Sequence, residues 1–355
     1  MEDYQREFLD SLLETASPSG FETASQRVWV EYVSEFADDV RVDDYGNAVA
    51  VHEGDATKVM IAGHGDEIGF MVRDVTDDGY LRLARIGVSD RTVTRGQHVT
   101  VHTDGGPVNG VIGQTAIHLR EREDESVDDV AEQYVDIGVA DGDAARERVS
   151  IGDPITFASG VRSLAGARLA GRGMDNRVGI WTAAEALRRA SDCDADATVY
   201  AVSTVQEEVG LKGAKMVGFD IDPDVAVAVD VTHATDTLGV PEKQSSAIEL
   251  GGGPVVARGS ANHPQLVEAL RSVADANAVS IQLEAAGIST GTDADAFYTQ
   301  RGGVPSVNLG LPNRYMHTPV EVVDTEDLDA AADLLGAFAT SVGEFEPFTV
   351  DLTSE

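Results

Sequence analysis

Apolar residues near the start of the chain recur at helical spacing. Within residues 2–16, Phe8, Leu9, Leu12 and Leu13 share one face, and after a break at SPSG (17–20) Val28, Trp29, Val33 and Phe36 mark a second amphipathic helix. The period then shortens. Residues 40–54 predict a β-hairpin turning near Tyr45, Gly46 and Asn47, and KVMIAGHGDEIGFMV (58–72) predicts an apolar strand interrupted by polar residues in its middle. From about Arg73 to Ser159, short runs such as YLRLARIG, GQHVTVHT and DPITFAS alternate with Gly and Asp turns. Helical periodicity is almost absent there except near Asp128 to Tyr134, and the texture is that of a small all-β module.

Strand and helix alternate again downstream. NRVGIWTAAEALRRA predicts a helix, ATVYAVSTV and VAVAVDV strands, HPQLVEALRSVADANA a helix, VPSVNLGL a strand and DTEDLDAAADLLGAFATSV a final helix. Such alternation implies an α/β fold, a sheet with helices on both faces. The β module reads as an insertion, dividing the chain into an α/β domain (1–72 plus 160–355) and a β-rich domain (73–159).

The 355 residues have ordinary globular composition, 42% hydrophobic and 25% charged. No apolar run is long enough to span a membrane. The acidic start, MEDYQREFLD, lacks the basic and apolar regions of a signal peptide. The single Cys193 excludes an intramolecular disulfide and fits a cytoplasmic setting. The net charge is −36, with 62 acidic residues against 26 basic, and it argues against nucleic acid and anionic membranes as partners.

The candidate chemistry gathers at one kind of position. His64 and Asp66 end an apolar strand, Glu207 and Glu208 follow another, Asp230 closes a third, His317 lies just beyond a fourth, and Asp175 precedes a helix. In an open α/β sheet, ligands bind outside the carboxyl ends of the strands, so these separated residues are expected to meet in one crevice. Imidazole and carboxylate ligands suit Zn²⁺ or a similar first-row ion, and a carboxylate can bridge two ions with its two oxygens. A further unligated carboxylate would serve as base, a division of labour to which the pair Glu207 and Glu208 is suited. Each residue alone has a plainer reading: a turn His beside an Asx-turn Asp, a Glu pair favouring a helix dipole, an N-cap at Asp175, a turn residue at Asp230, a packed loop His at His317. His52, His98, His102, His118, His233 and His263 lack that placement, although His233 is close to Asp230 in sequence.

SPSGFE, HGDEIGF, GRGMDNRVG, VQEEVGLKGA, DVTHATD, GTDADAF and NRYMHTPVE run in order from residue 17 to residue 321. Together they resemble the M42 family of metallo-aminopeptidases, the glutamyl and tetrahedral aminopeptidase group. The resemblance implies a zinc-peptidase-like α/β domain carrying an inserted β-rich dimerisation domain, with two divalent ions per subunit (Zn or Co, with Mn also suited). Asp175 would bridge the ions, His64 and Asp230 would complete one ligand set, and Glu208 and His317 the other. Glu207 would be the general base, and Asp66 would orient His64. Peptides would be the substrates, and dimers would assemble into a homo-oligomer, up to a hollow dodecamer. Rivals on the same scaffold are a carboxypeptidase, a deacylase or an endoglucanase-type hydrolase, and outside it a non-catalytic peptide-binding assembly protein.

Two features depart from the family pattern. Asn176 stands where many relatives carry a second Asp, and the acidity exceeds the family norm. Against that acidity only four Lys remain, two of them, Lys212 and Lys215, just after the Glu pair. Self-repulsion at this charge is relieved by salt, the Debye length falling to about 3 Å at 1 M, which points to a protein of a high-salt cytoplasm. The expected outcome is a denaturation midpoint that rises steeply between 0.1 M and several molar KCl; equal stability across that range would refute the assignment.

Overall fold

The computed structural model describes residues 1–120, 126–240, 247–350 and 352. The chain opens with α1 (Asp3–Glu14) and α2 (Thr23–Val33), then the predicted hairpin, β1 (Asp39–Val42) and β2 (Ala48–His52), and the long β3 (Ala56–His64). Residues 58–72, expected as one strand, are two. β3 ends at His64, and β4 (Gly69–Val75) belongs to a different sheet. The break is held at Glu67, whose N–H donates to the Ser17 carbonyl at 2.9 Å and which bridges Pro18.

β4 opens a closed six-stranded barrel with β5 (Leu81–Ile86), β6 (His98–Thr103), β7 (Gly106–Ile112), β8 (Tyr134–Asp136) and β9 (Pro154–Phe157), in the order β4-β5-β8-β7-β6-β9. It has its own apolar cluster, in which Phe70 and Phe157 meet edge to face at 5.4 Å. The barrel therefore starts at Gly69, ahead of the composition shift. It is not purely β, because α3 (Arg91–Thr94), α4 (Gly142–Arg146) and short 3-10 turns, one at Val130–Glu132, lie between its strands.

After two short strands, β10 (Arg162–Ser163) and β11 (Arg168–Gly171), come α5 (Met174–Asp192), β12 (Ala197–Thr204), α6 (Lys212–Ile221) and β13 (Val225–His233). β14 (Val255–Gly259), α7 (Pro264–Ala276), β15 (Gln282–Ala286), α8 (Ala294–Phe297), β16 (Ser306–Asn313), β17 (Glu321–Asp324) and α9 (Thr325–Ser341) complete the fold. The main sheet is mixed, in the order β1-β2-β12-β3-β13-β16-β14-β15, with β12, β3, β13 and β16 mutually parallel at its centre. β14 and β15 carry Val256, Leu283 and a Gly-ended run too short to read as strands from periodicity alone.

Strand residues alternate between the two faces of the sheet. Val59, Ile61, Val227, Val229, Leu309 and their neighbours pack beneath α1, α2, α5, α7 and α9. Met60, Ala62, Val202, Ala226 and Ala228 pack against α6 and α8. His64, Thr204, Asp230, Thr232 and Asn308 continue the second register. They point to the thinly covered face, where a cavity can open at the strand ends.

α5 reaches the sheet because glycines remove the side chains at the crossing. A Cβ on Gly63 would lie 2.7 Å from the Gly179 carbonyl carbon and 2.9 Å from the Ile180 nitrogen, both backbone atoms that cannot rotate away. Gly63→Ala is expected to cost about 1–3 kcal/mol, the usual scale of overpacking, read from denaturant unfolding at fixed molar KCl. An unchanged midpoint would show that the helix can back off the sheet.

Candidate metal centre

The parallel register brings the first two candidates together. β3 and β13 pair through Ala62 and Ala228, so two residues further on His64 and Asp230 fall opposite one another. His64 Nε2 lies 3.7 Å from Asp230 Oδ1. Asp230 was expected to close its strand; instead β13 runs on to His233, because β16 continues beside it as far as Asn313. Asp175 comes from the irregular first turn of α5, where it and Asn176 have non-helical φ/ψ.

Asp175 presents its two oxygens to two different imidazoles. Oδ1 is 3.1 Å from His64 Nε2, and Oδ2 is 3.3 Å from His317 Nε2. Glu208 Oε1, buried without a hydrogen-bond partner, stands 3.7 Å from the same His317 nitrogen. Glu207 Oε2 is 3.9 Å from His64 Nε2. Ligand atoms of His64, Asp175 and Asp230 lie close enough to share one ion, and those of Asp175, Glu208 and His317 another; His64, Glu207 and Glu208 form a third group of the same kind. Six of the seven predicted residues meet in this crevice, and Asp66 lies buried behind His64. His233 sits at the exposed rim of the adjoining cavity, while His52 and His102 hydrogen-bond elsewhere, to the Ala195 carbonyl and Thr156.

Charge is crowded here. Burial, then neighbouring carboxylates, raise the pKa values of Glu207, Glu208 and Asp230 above the ordinary carboxylate range. Burial disfavours charging His64, but the facing Glu207 and Asp230 outweigh it and raise its pKa. Burial also opposes ionisation of Asp175, yet hydrogen bonds from His317 and His64 hold its pKa low. A donor set of two imidazoles and an excess of buried carboxylates fits divalent cations, which would neutralise what protons otherwise must.

The surrounding contacts fix the backbone of the candidate ligands. Asp66, fully buried, accepts from Ser19 Oγ at 2.6 Å and from the Glu207 and Glu208 N–H groups at 3.0 and 3.2 Å. His64 Nδ1 faces it, 3.2 Å from its carbonyl and 3.4 Å from its carboxylate. Below, Glu67 is clamped by Arg172 and Arg177 and accepts from the Ser17 N–H; burial opposes its ionisation, but the two guanidiniums bring its pKa down to about 2.

Two residues escaped the sequence reading. Glu321, at the start of β17, accepts from the Asp175 N–H with Oε2 (3.1 Å) and from the His317 N–H with Oε1 (2.8 Å), tying both ligand loops to one carboxylate. His317 itself has a φ of +63°, a costly conformation for a non-glycine residue that this contact helps to hold. Asp293 accepts from Thr204 Oγ1 at 2.6 Å, and burial pushes its pKa up to about 7. Both lie within motifs noted above, NRYMHTPVE and GTDADAF, but nothing in their spacing marks them. Lys212 and Lys215 are exposed, and Lys215 donates to the Gly210 carbonyl of the loop after the Glu pair.

Solved structures carry this fold along the whole chain. The crystal structure of a TET aminopeptidase from a marine sediment archaeon of the Thaumarchaeota matches with a TM-score of 0.91 at 32% identity, covering 98% of this chain and 100% of that one. The TET1 peptidase of Pyrococcus horikoshii matches with a TM-score of 0.85 at 30% identity, covering 94% and 99%. The lysyl aminopeptidase of Pyrococcus furiosus is 36% identical over 335 residues, 93% of this chain and 95% of that protein. The class is thus a peptidase of the aminopeptidase group. A family model described as M42 glutamyl aminopeptidase matches residues 46–334, and the chain belongs to that family.

The role of Glu321 is open to direct measurement. Gln in its place offers one acceptor where two backbone N–H groups require two. Glu321→Gln is expected to weaken divalent-metal binding about 10–100-fold, the usual cost of losing a group that orients ligands, with unchanged far-UV circular dichroism. Undiminished affinity by chelator competition would make the contact merely structural.

Proposed function

We propose that the protein is a two-metal aminopeptidase that removes residues one at a time from the free N-terminus of peptides. The observation that carries this reading is the division of Asp175, one oxygen toward His64 and the other toward His317. In this reading His64, Asp175 and Asp230 would hold one divalent ion and Asp175, Glu208 and His317 the other, with Zn²⁺, Co²⁺ and Mn²⁺ all suited to the donors. Bound ions would supply Lewis acidity to the scissile carbonyl and acidify the attacking water. Glu207 then takes the proton of that water and passes it to the leaving amine. Asp66 keeps His64 and the Glu207 backbone in place. The cavity's excess of carboxylates attracts the substrate's α-ammonium group, which favours an exopeptidase.

The relatives' names support peptide hydrolysis but differ in side chain: the Pyrococcus furiosus protein is a lysyl aminopeptidase and a Lactococcus lactis relative, 29% identical, a glutamyl aminopeptidase. The Pyrococcus horikoshii peptidase assembles into a tetrahedron or an octahedral shell. A homo-oligomer built from dimers through the barrel is the corresponding reading for this chain, and exposed Ile117 and Leu119 beside the barrel support it. No described helix is long and apolar enough to cross a membrane. A high-salt cytoplasm remains our assignment of its setting, on charge and on the unpaired, exposed Cys193.

Glu207→Gln separates base from ligand. Metal content is expected to persist while turnover of aminoacyl anilides falls about 10²–10⁴-fold, and chelator abolishes the wild-type activity. Unchanged turnover in the variant would remove Glu207 from the mechanism, and activity that survives chelation would remove the metals.

A further inference from the structure

The cavity beside the carboxylate cluster, about 370 Å³, extends past the metal centre across the ends of β13 to β16. Its wall on the side of β13 to β16 includes Thr232, Ala257, Glu284 and Asn308, with Ala285 and Ser289 beside them. Small side chains leave room there, and one charge faces it. Glu284 is the ladder partner of Ala257 on the half-buried edge strand β15, and its Oε2 accepts from Thr232 Oγ1 at 2.7 Å. Thr232 lies on the same face of β13 as Asp230, so Glu284 is tied to the strand that carries a candidate metal ligand.

One hydroxyl occupies only part of a carboxylate's accepting capacity. Asn308, on the same wall, adds a buried amide oxygen with no hydrogen-bond partner. Among the described residues lining the cavity there is no Lys or Arg. His64 and His317 belong to the metal centre, and His233 stands at the rim. Among the described residues the wall thus offers acceptors and a negative charge, with no Lys or Arg to answer them.

We infer that this wall receives the side chain of the substrate's N-terminal residue and that Glu284 selects a basic one, lysine or arginine. The inference rests on the aminopeptidase reading and deepens it. A basic side chain gives Glu284 a charge-assisted hydrogen bond. An aliphatic one displaces water from the wall and leaves the carboxylate with Thr232 alone. An acidic one sets two like charges together without a counter-ion. Salt screens a partly enclosed pair less than an exposed one, so the selection survives molar KCl.

The test compares lysyl, norleucyl and glutamyl anilides on the metal-loaded wild type and Glu284→Gln in molar KCl; norleucine keeps the lysine chain without its ammonium. The wild type is expected to favour lysyl over norleucyl in kcat/KM by about 10-fold or more, with glutamyl poorest. In the variant the lysyl-to-norleucyl ratio falls toward one, and glutamyl gains relative to lysyl. Norleucyl hydrolysis without a lysyl preference, or a preference that Glu284→Gln leaves intact, overturns the inference and spares the aminopeptidase reading. Hydrolysis of none of the three overturns that reading instead. Calorimetric binding of free L-lysine and L-norleucine then decides the subsite by itself: tighter L-lysine binding that Glu284→Gln abolishes supports it, and equal binding overturns it.

Discussion

Too much negative charge in too little water is the constraint around which this structure is arranged. Asp175, Glu207 and Asp230 are buried near the carboxyl ends of the central strands, with Glu208 partly so, and the imidazoles of His64 and His317 stand among them. Buried carboxylates that cannot find cations take up protons, and the raised pKa values of Glu207, Glu208 and Asp230 express that. Asp175 is the exception, held ionised because an imidazole answers each of its oxygens. It is the point on which both histidines of the candidate centre converge.

Such a cluster survives only if the chain around it cannot relax. Three further carboxylates provide the restraint, each in a different way. Asp66 binds the end of β3 to the backbone of Glu207 and Glu208. Glu321 binds the Asp175 turn to the His317 turn. Glu67 faces two guanidiniums and stays charged, anchoring the segment by which the chain leaves the main sheet for the barrel. Two of these three spend their charge on backbone N–H groups, which removes no acceptor from the candidate ligands themselves. The Gly63 and Gly179 contact completes the arrangement, since α5 must lie directly on β3 to bring Asp175 to the end of that strand.

Much of this was legible from residue order. Alternating apolar strands named the sheet, and the rule that ligands gather at carboxyl strand ends was enough to assemble His64, Asp175, Glu207, Glu208, Asp230 and His317 before any coordinate. Local pattern failed where the partner of a residue is distant. The strand after residue 58 breaks at Glu67 because Ser17, fifty positions away, captures its backbone. Asp230 lies inside its strand because β16 prolongs the ladder. Glu321 and Asp293 look like any acidic loop residue until the groups they face, Asp175, His317 and Thr204, are folded beside them.

The same amino-acid types obey opposite physics at the surface and in the crevice. A net charge of −36 is spread mainly over exposed Asp and Glu, where molar salt reduces repulsion to contact range. The buried carboxylates stand in a partly enclosed cavity, where bulk salt screens less than at the surface and an ion seated among them acts more strongly. On the reading proposed above, salt would act on the surface charge and divalent metal on the buried cluster. Glu284 stands between the two regimes, half-buried at the edge of the sheet. It is sheltered enough for its charge to act on a ligand at high salt, and open enough that the ligand can reach it.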